Sequence, residues 1–84
     1  MKSLDELKSV LSEILNKKEI IVDSITLESE GKYLFLRVVL DKVGGIDLDG
    51  IVEATKIINP IIDEYDITDE SYILDVISKE RGGK

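Results

Sequence analysis

The chain contains no cysteine and no histidine. Without cysteine there is no disulfide framework and no thiolate zinc site; without histidine the usual general base at neutral pH and the commonest metal ligand are both missing. Tryptophan is absent as well, and phenylalanine, methionine and proline occur once each. No apolar run approaches the ~20 residues that span a bilayer as a helix. The opening Met1-Lys2-Ser3-Leu4-Asp5-Glu6 carries acids where a signal peptide has its apolar core. Positive charge is scarce: 11 Lys and Arg stand against 18 Asp and Glu, a net charge of −7, which opposes non-specific binding to the phosphates of DNA or RNA. These absences disfavour catalysis and point to a cytoplasmic, non-enzymatic chain without cofactor, metal or membrane contact, whose partner is basic or neutral.

What is present is a balance of 43% hydrophobic and 35% charged residues over 84 positions, the composition of an ordinary globular domain. A chain of this length holds one core and buries about 60 to 65% of its unfolded surface. The expected organisation is one α/β domain over residues 1–78, with Lys79 to Lys84 as a flexible tail or the start of a linker.

Ser3 followed by Glu6 forms a capping box, in which each side chain satisfies an orphan backbone donor at a helix start. Leu4, Leu7, Val10, Leu11, Ile14 and Leu15 recur at helical spacing and make the core stripe of the first helix. From Glu19 to Glu28 β-branched residues take over, predicting a strand with Ile21, Ile25 and Leu27 toward the helices, Val22, Ser24 and Thr26 away, and an irregularity at Asp23. Ser29 to Lys32 is a hairpin turn.

The second strand, Lys32 to Asp41, alternates without a break: Leu34, Leu36, Val38 and Leu40 on one face, Tyr33, Phe35, Arg37 and Val39 on the other. If both helices lie on the leucine side, the second set forms an apolar patch on the open face of the sheet, a candidate partner-binding surface unless the tail covers it. Gly44 and Gly45 permit positive φ at the strand exit, and Asp47 offers an N-cap oxygen. The second helix presents Leu48, Ile51, Val52, Thr55, Ile58 and Ile62, with Pro60 predicting a kink or a restart after Asn59. Asp63 to Ser71 is an acidic connection, and Ser71 to Ser78 a third strand with Tyr72, Leu74 and Val76 opposite Ile73, Asp75 and Ile77.

The fold class that follows is α+β, a two-layer sandwich in α-β-β-α-β order, with a three-stranded mixed sheet and two helices on one face. A right-handed crossover is expected if the second and third strands are parallel; where the third strand pairs is not fixed by the pattern.

Two chemical motifs fail on their own terms. Gly44-Gly45 before a helix suggests phosphate binding, but no Walker Lys-Ser or Lys-Thr follows, and Asp47 and Asp49 put negative charge where a phosphate would sit. Asp63, Glu64, Asp66, Asp69 and Glu70 lack the ligand spacing of a calcium loop and read as a solvated segment.

Leu36-Arg37-Val38-Val39-Leu40-Asp41 followed by Gly44-Gly45-Ile46-Asp47-Leu48-Asp49 resembles the N-terminal domain of the RimP ribosome maturation factors, whose strand and helix start run Leu-Arg-x-x-x-Asp, Gly-Gly-Ile-x-Leu-Asp. Ile62-Asp63 with Asp66, and Tyr72-x-Leu74-Asp75-Val76, are similar to later segments of that family. The resemblance implies a role in assembly of the small ribosomal subunit, by binding the immature particle through a basic ribosomal protein, with no catalysis and no cofactor. In that family the third strand leads through Ser-Ser-Pro-Gly into a β-barrel domain; Ile77-Ser78-Lys79-Glu80 departs from this, as in an excised domain or a stand-alone relative. The alternatives are a KH-like RNA-binding module, for which neither Gly44-Gly45 nor Gly82-Gly83 supplies the Gly-x-x-Gly clamp, and a dimerisation domain using Tyr33, Phe35 and Val39; the oligomeric state stays open.

On this reading Phe35→Asp and Arg37→Glu keep the fold and weaken co-sedimentation with small-subunit particles; unchanged co-sedimentation removes the open face from consideration.

Overall fold

The structure, a computed structural model, describes residues 3–65, 68 and 70–79. Its elements run α1 (Leu4–Asn16), β1 (Ile21–Glu30), β2 (Tyr33–Asp41), α2 (Leu48–Glu64) and β3 (Ile73–Ser78), the α+β order read from the sequence. Asp66, Asp69 and the tail from Glu80 lie outside the described residues. Lys79, placed in the tail by the sequence pattern, still donates its backbone N–H to the Leu40 carbonyl at 2.7 Å.

α1 begins with the full capping box. Ser3 Oγ accepts from the Glu6 N–H at 3.1 Å, and Glu6 Oε1 accepts from the Ser3 N–H at 3.3 Å. Leu7, Leu11 and Leu15 are fully buried along its inner face. The helix closes in a Schellman motif: the Ile20 N–H reaches the Leu15 carbonyl at 3.0 Å and the Glu19 N–H the Asn16 carbonyl at 2.9 Å. This places Glu19 at φ +65°, the only non-glycine with positive φ among the described residues, where glycine is the usual occupant. Ile20 and Leu15, the apolar pair that accompanies the motif, are both buried. The strand therefore starts at Ile21 instead of Glu19, because Glu19 belongs to the helix stop.

β1 and β2 form a hairpin across Gly31-Lys32, with Glu30 opposite Tyr33. Gly31 has φ +62° and Lys32 does not have positive φ, the pattern of a type II′ turn whose twist suits the hairpin. The register shifts between Val22 and Ser24, so Asp23 is the extra residue of a β-bulge. That shift corrects one sequence expectation: Val22 is buried and Ile21 is 45% exposed, the reverse of a simple alternation. Ile25 faces the core, as expected.

β3 pairs parallel with the other edge of β2, from Phe35 opposite Ile73 to Leu40 opposite Ser78, giving the order β1-β2-β3. β2 is thus central, and its Leu36, Val38 and Leu40 are fully buried beneath the two helices. Both helices share the leucine side of the sheet, since the buried residues of α1, α2, β1 and β2 form one cluster.

β2 leaves through a turn in which the Gly45 N–H donates to the Lys42 carbonyl at 2.7 Å. Gly44 and Gly45 have φ of +85° and +99°. A Cβ at either would meet no atom within 4 Å, so the requirement is conformational, not steric. α2 buries Ala54, Ile58 and Ile62. Leu48 and Val52, placed on its core face from their spacing, are instead exposed. The stripe passes through the small Ala54, which turns those two residues toward solvent. Pro60 lies inside one unbroken helix, so the restart after Asn59 does not occur. The missing N–H falls opposite the carbonyl of Lys56, one turn back, at an exposed residue where water can take the acceptor.

Two stability outcomes follow. Val38→Ala lowers the unfolding free energy by about 1 to 3 kcal/mol in equilibrium denaturation, and an unchanged value would invert the face assignment of β2. Glu19→Gly raises it by about 1 kcal/mol while Glu19→Ala leaves it level, because the cost sits in the left-handed backbone and not in the carboxylate.

Candidate functional site

The face of the sheet turned away from the helices is set by strand parity. On β2 it carries Tyr33, Phe35, Arg37 and Val39; the paired residues on β1 are Glu30, Glu28, Thr26 and Ser24. On β3, Ile73, Asp75 and Ile77 stand beside Phe35, Arg37 and Val39. The four sequence candidates on β2 thus share one surface with seven residues from its neighbours. Tyr33 is 57% exposed, Ile73 44% and Ile77 38%, while Phe35, Arg37 and Val39 are half-buried by the strands that flank them.

Arg37 sits at the centre of a charge network. Its Nε donates to Asp75 Oδ2 at 3.0 Å, one terminal nitrogen donates to Glu28 Oε1, and the other lies 3.6 Å from Glu30 Oε2. Thr26 Oγ1 adds a hydrogen bond to Glu28 Oε2 at 3.0 Å. The guanidinium carbon is 5.8 Å from the Phe35 ring centroid, within reach of a cation–π attraction. The hydrogen bond to Asp75 raises the Arg37 pKa above its ordinary value against an opposing desolvation effect, with Glu28, Asp75 and Glu30 adding charge attraction. The cation is held fast by its own chain.

This geometry changes what Arg37 can do. The sequence placed it among groups free to meet a partner, whereas its donors are already directed at three carboxylates. Glu28, Glu30, Asp75, Ile73 and Ile77 are members of the face that the candidate set omitted. The first two were accessible in principle, because a two-residue turn at Gly31-Lys32 fixes the β1–β2 register and places them beside Phe35 and Tyr33. Asp75 was not, since it depends on where β3 pairs.

Farther along, Lys79 Nζ meets Asp23 Oδ1 at 3.2 Å, linking the end of β3 to the bulge of β1 across β2. Near the opposite end, a recess of about 230 Å³ opens between the starts of β2 and β3, lined in part by Tyr33, Leu34, Tyr72 and Ile73. Tyr72 packs against the core on the helix side; burial, and then the charge of Asp63, raise its phenol above the ordinary value, so it stays neutral at pH 7.

Gly44, Gly45 and Asp47 lie beyond the end of β2, apart from the Tyr33-to-Val39 row. Asp47 Oδ1 accepts from the Gly50 N–H at 2.8 Å. Its carboxylate is therefore engaged in capping α2. Ile46 and Ile51 occupy the staple positions on either side of that cap and both pack on the core. A Cβ on Gly50 would stand 2.9 Å from Ile46 Cγ1, so glycine lets the loop close onto the first turn.

Among the described residues no group of His, Cys, Asp or Glu could hold a metal ion, and no helix is long and apolar enough to cross a membrane. A model of the RimP N-terminal domain matches residues 10–79, from the middle of α1 through the end of β3. The chain belongs to the RimP N-terminal domain family. This is a family of ribosome maturation factors that act on the small ribosomal subunit and are not enzymes, and the chain is a ribosome maturation factor-like domain. The motif segments Leu36 to Asp41 and Gly44 to Asp49, which carried the resemblance, supply the central strand, its glycine turn and the capped start of α2 in the RimP N-terminal fold described above.

Arg37→Glu adds a fourth carboxylate to Glu28, Glu30 and Asp75, so it lowers the thermal midpoint, and part of the loss is recovered as salt screens the repulsion. Arg37→Gln, which keeps donors without charge, loses less. Equal midpoints for wild type and Arg37→Glu would show that the network contributes nothing to the fold.

Proposed function

We propose that the domain docks on the immature small ribosomal subunit by meeting a basic ribosomal protein with its open sheet face. The observation that carries this reading is the composition of the face: Tyr33, Phe35, Val39, Ile73 and Ile77 form an apolar field bordered by acids. Its ion-paired groups comprise four carboxylates, Asp23, Glu28, Glu30 and Asp75, against two cations, Arg37 and Lys79. A net charge of −7 for the whole chain extends the same sign outward and steers encounter with a basic surface. The same distribution disfavours direct clamping of an RNA backbone. Among the described residues the element order supplies no helix–loop–helix in which a KH-type glycine clamp would sit.

The role of Arg37 in this scheme is to keep the centre of the face from being an unrelieved cluster of acids. Its own contact with a partner is secondary. Docking energy comes from the apolar residues, and charge sets orientation and rate.

Two substitutions of equal charge change test the face. Glu30→Lys on the open face weakens co-sedimentation with immature small-subunit particles by about tenfold, a loss of roughly 1.4 kcal/mol, whereas Glu13→Lys on the solvent side of α1 leaves it unchanged. Phe35→Asp also weakens it, with the retained fold checked by circular dichroism. Equal losses from Glu30→Lys and Glu13→Lys would mean that only net charge matters and would overturn the assignment of this face.

A further inference from the structure

The two edges of the sheet differ. On β1 the open-face side chains near the free edge are Thr26, Glu28 and Glu30, and the strand is broken by the bulge at Asp23. Charges and bulges of this kind blunt an edge against pairing. β3 has no bulge along its outer edge, its six pairs with β2, Phe35 with Ile73 through Leu40 with Ser78, running without a register shift, and its open-face charge, Asp75, is engaged by Arg37 of β2. Among the described residues no strand pairs with its far side.

Which groups that edge offers follows from one bond. The Lys79 N–H points to β2, where it meets the Leu40 carbonyl at 2.7 Å. Backbone direction alternates along a strand, so Ile73, Asp75, Ile77 and Lys79 turn their amides and carbonyls toward β2. Leu74, Val76 and Ser78 therefore turn theirs outward, as a row of three donors and three acceptors. Beside that row, on the open face, stand the exposed Ile73 and Ile77, with Asp75 between them; Glu70, also exposed, lies just before the strand.

We infer that the outer edge of β3 accepts an extended, Lys- or Arg-rich segment of a basic protein as a fourth strand. Its main chain bonds to Leu74, Val76 and Ser78, its apolar side chains lie against Ile73 and Ile77, and its cations reach toward Asp75 and Glu70. β-strand addition takes affinity from main-chain hydrogen bonds and selectivity from alternate side chains. Charge selects the occupant: a second copy of this chain would bring another −7 to a surface of the same sign, while a basic segment is attracted to it. This deepens the docking reading and rests on it, by naming the edge and the conformation through which the basic partner is held.

The probe is a synthetic peptide of about ten alternating Lys and Val residues, a common strand length, with a second version N-methylated at every other residue to remove its donors along one edge. Binding to the full chain is followed by amide exchange, and Ser78→Pro, which removes an outward donor at an exposed position without breaking a bond to β2, serves as the edge variant. The expected result is slowed exchange at Leu74, Val76 and Ser78 with the first peptide, and about tenfold weaker binding for the N-methylated peptide and for Ser78→Pro. Equal binding of the two peptides, or protection confined to Phe35 and Val39, overturns the edge inference. So does a concentration-dependent dimer in sedimentation that Ser78→Pro abolishes, which assigns the edge to self-pairing. Particle association distinguishes the two levels: undiminished association of Ser78→Pro defeats the edge and leaves the docking reading standing, whereas no association of the wild type defeats the docking reading itself.

Discussion

The fold depends on burying one side of a single strand. Leu36, Val38 and Leu40 are fully excluded from solvent because β2 has a strand on each edge and two helices across one face. Complete burial of three such side chains is worth roughly 1.5 to 3 kcal/mol each, a large share of the margin available to so small a domain. The other elements are placed by the demand to cover this row. α1 contributes Leu7, Leu11 and Leu15, α2 contributes Ala54, Ile58 and Ile62, and β1 contributes Val22 and Ile25.

The same constraint creates the opposite face. A strand whose alternate residues are committed to the core presents the remaining ones together on the far side, and among the described residues no helix covers them. In β2 those residues are Tyr33, Phe35, Arg37 and Val39. Arg37 would be awkward at the middle of a half-buried apolar row, and its charge is met by Glu28 and Glu30 from one neighbour and Asp75 from the other. The network therefore ties all three strands at one point, in addition to the backbone ladders. It also holds an inward-leaning charge in the middle of the exposed sheet, which opposes indiscriminate stacking of one sheet on another.

The sequence was most legible where local rules act alone. The capping box at Ser3 and Glu6, the unbroken alternation from Tyr33 to Leu40, and the order of elements all depend on near neighbours or on a period. It was least legible where a small geometric event shifts a period. A bulge at Asp23 exchanges the roles of Ile21 and Val22, and a core alanine at position 54 redirects the stripe of α2 so that Leu48 and Val52 face water. Glu19 in a left-handed conformation carries no sign of it in the residue type. The candidate face was legible along β2 and not across it, because its neighbours are set by hairpin register and by the parallel pairing of β3, which joins residues far apart in the chain.

The bulge has a further effect. One additional residue on β1 is a half-period slip in phase between the two strands of the hairpin, so the stretch before Asp23 and the stretch after it each keep their apolar residues inward only while that slip stays where it is. Flattening the bulge with Asp23 kept in the ladder would turn Ile21 in and Val22 out, whereas deleting Asp23 would leave one regular ladder in which Val22, now two places from Ile25, still faces inward. The hairpin thus behaves like a vernier: a single coincidence of marks at Asp23 aligns the type II′ turn at one end with the stop of α1 at the other.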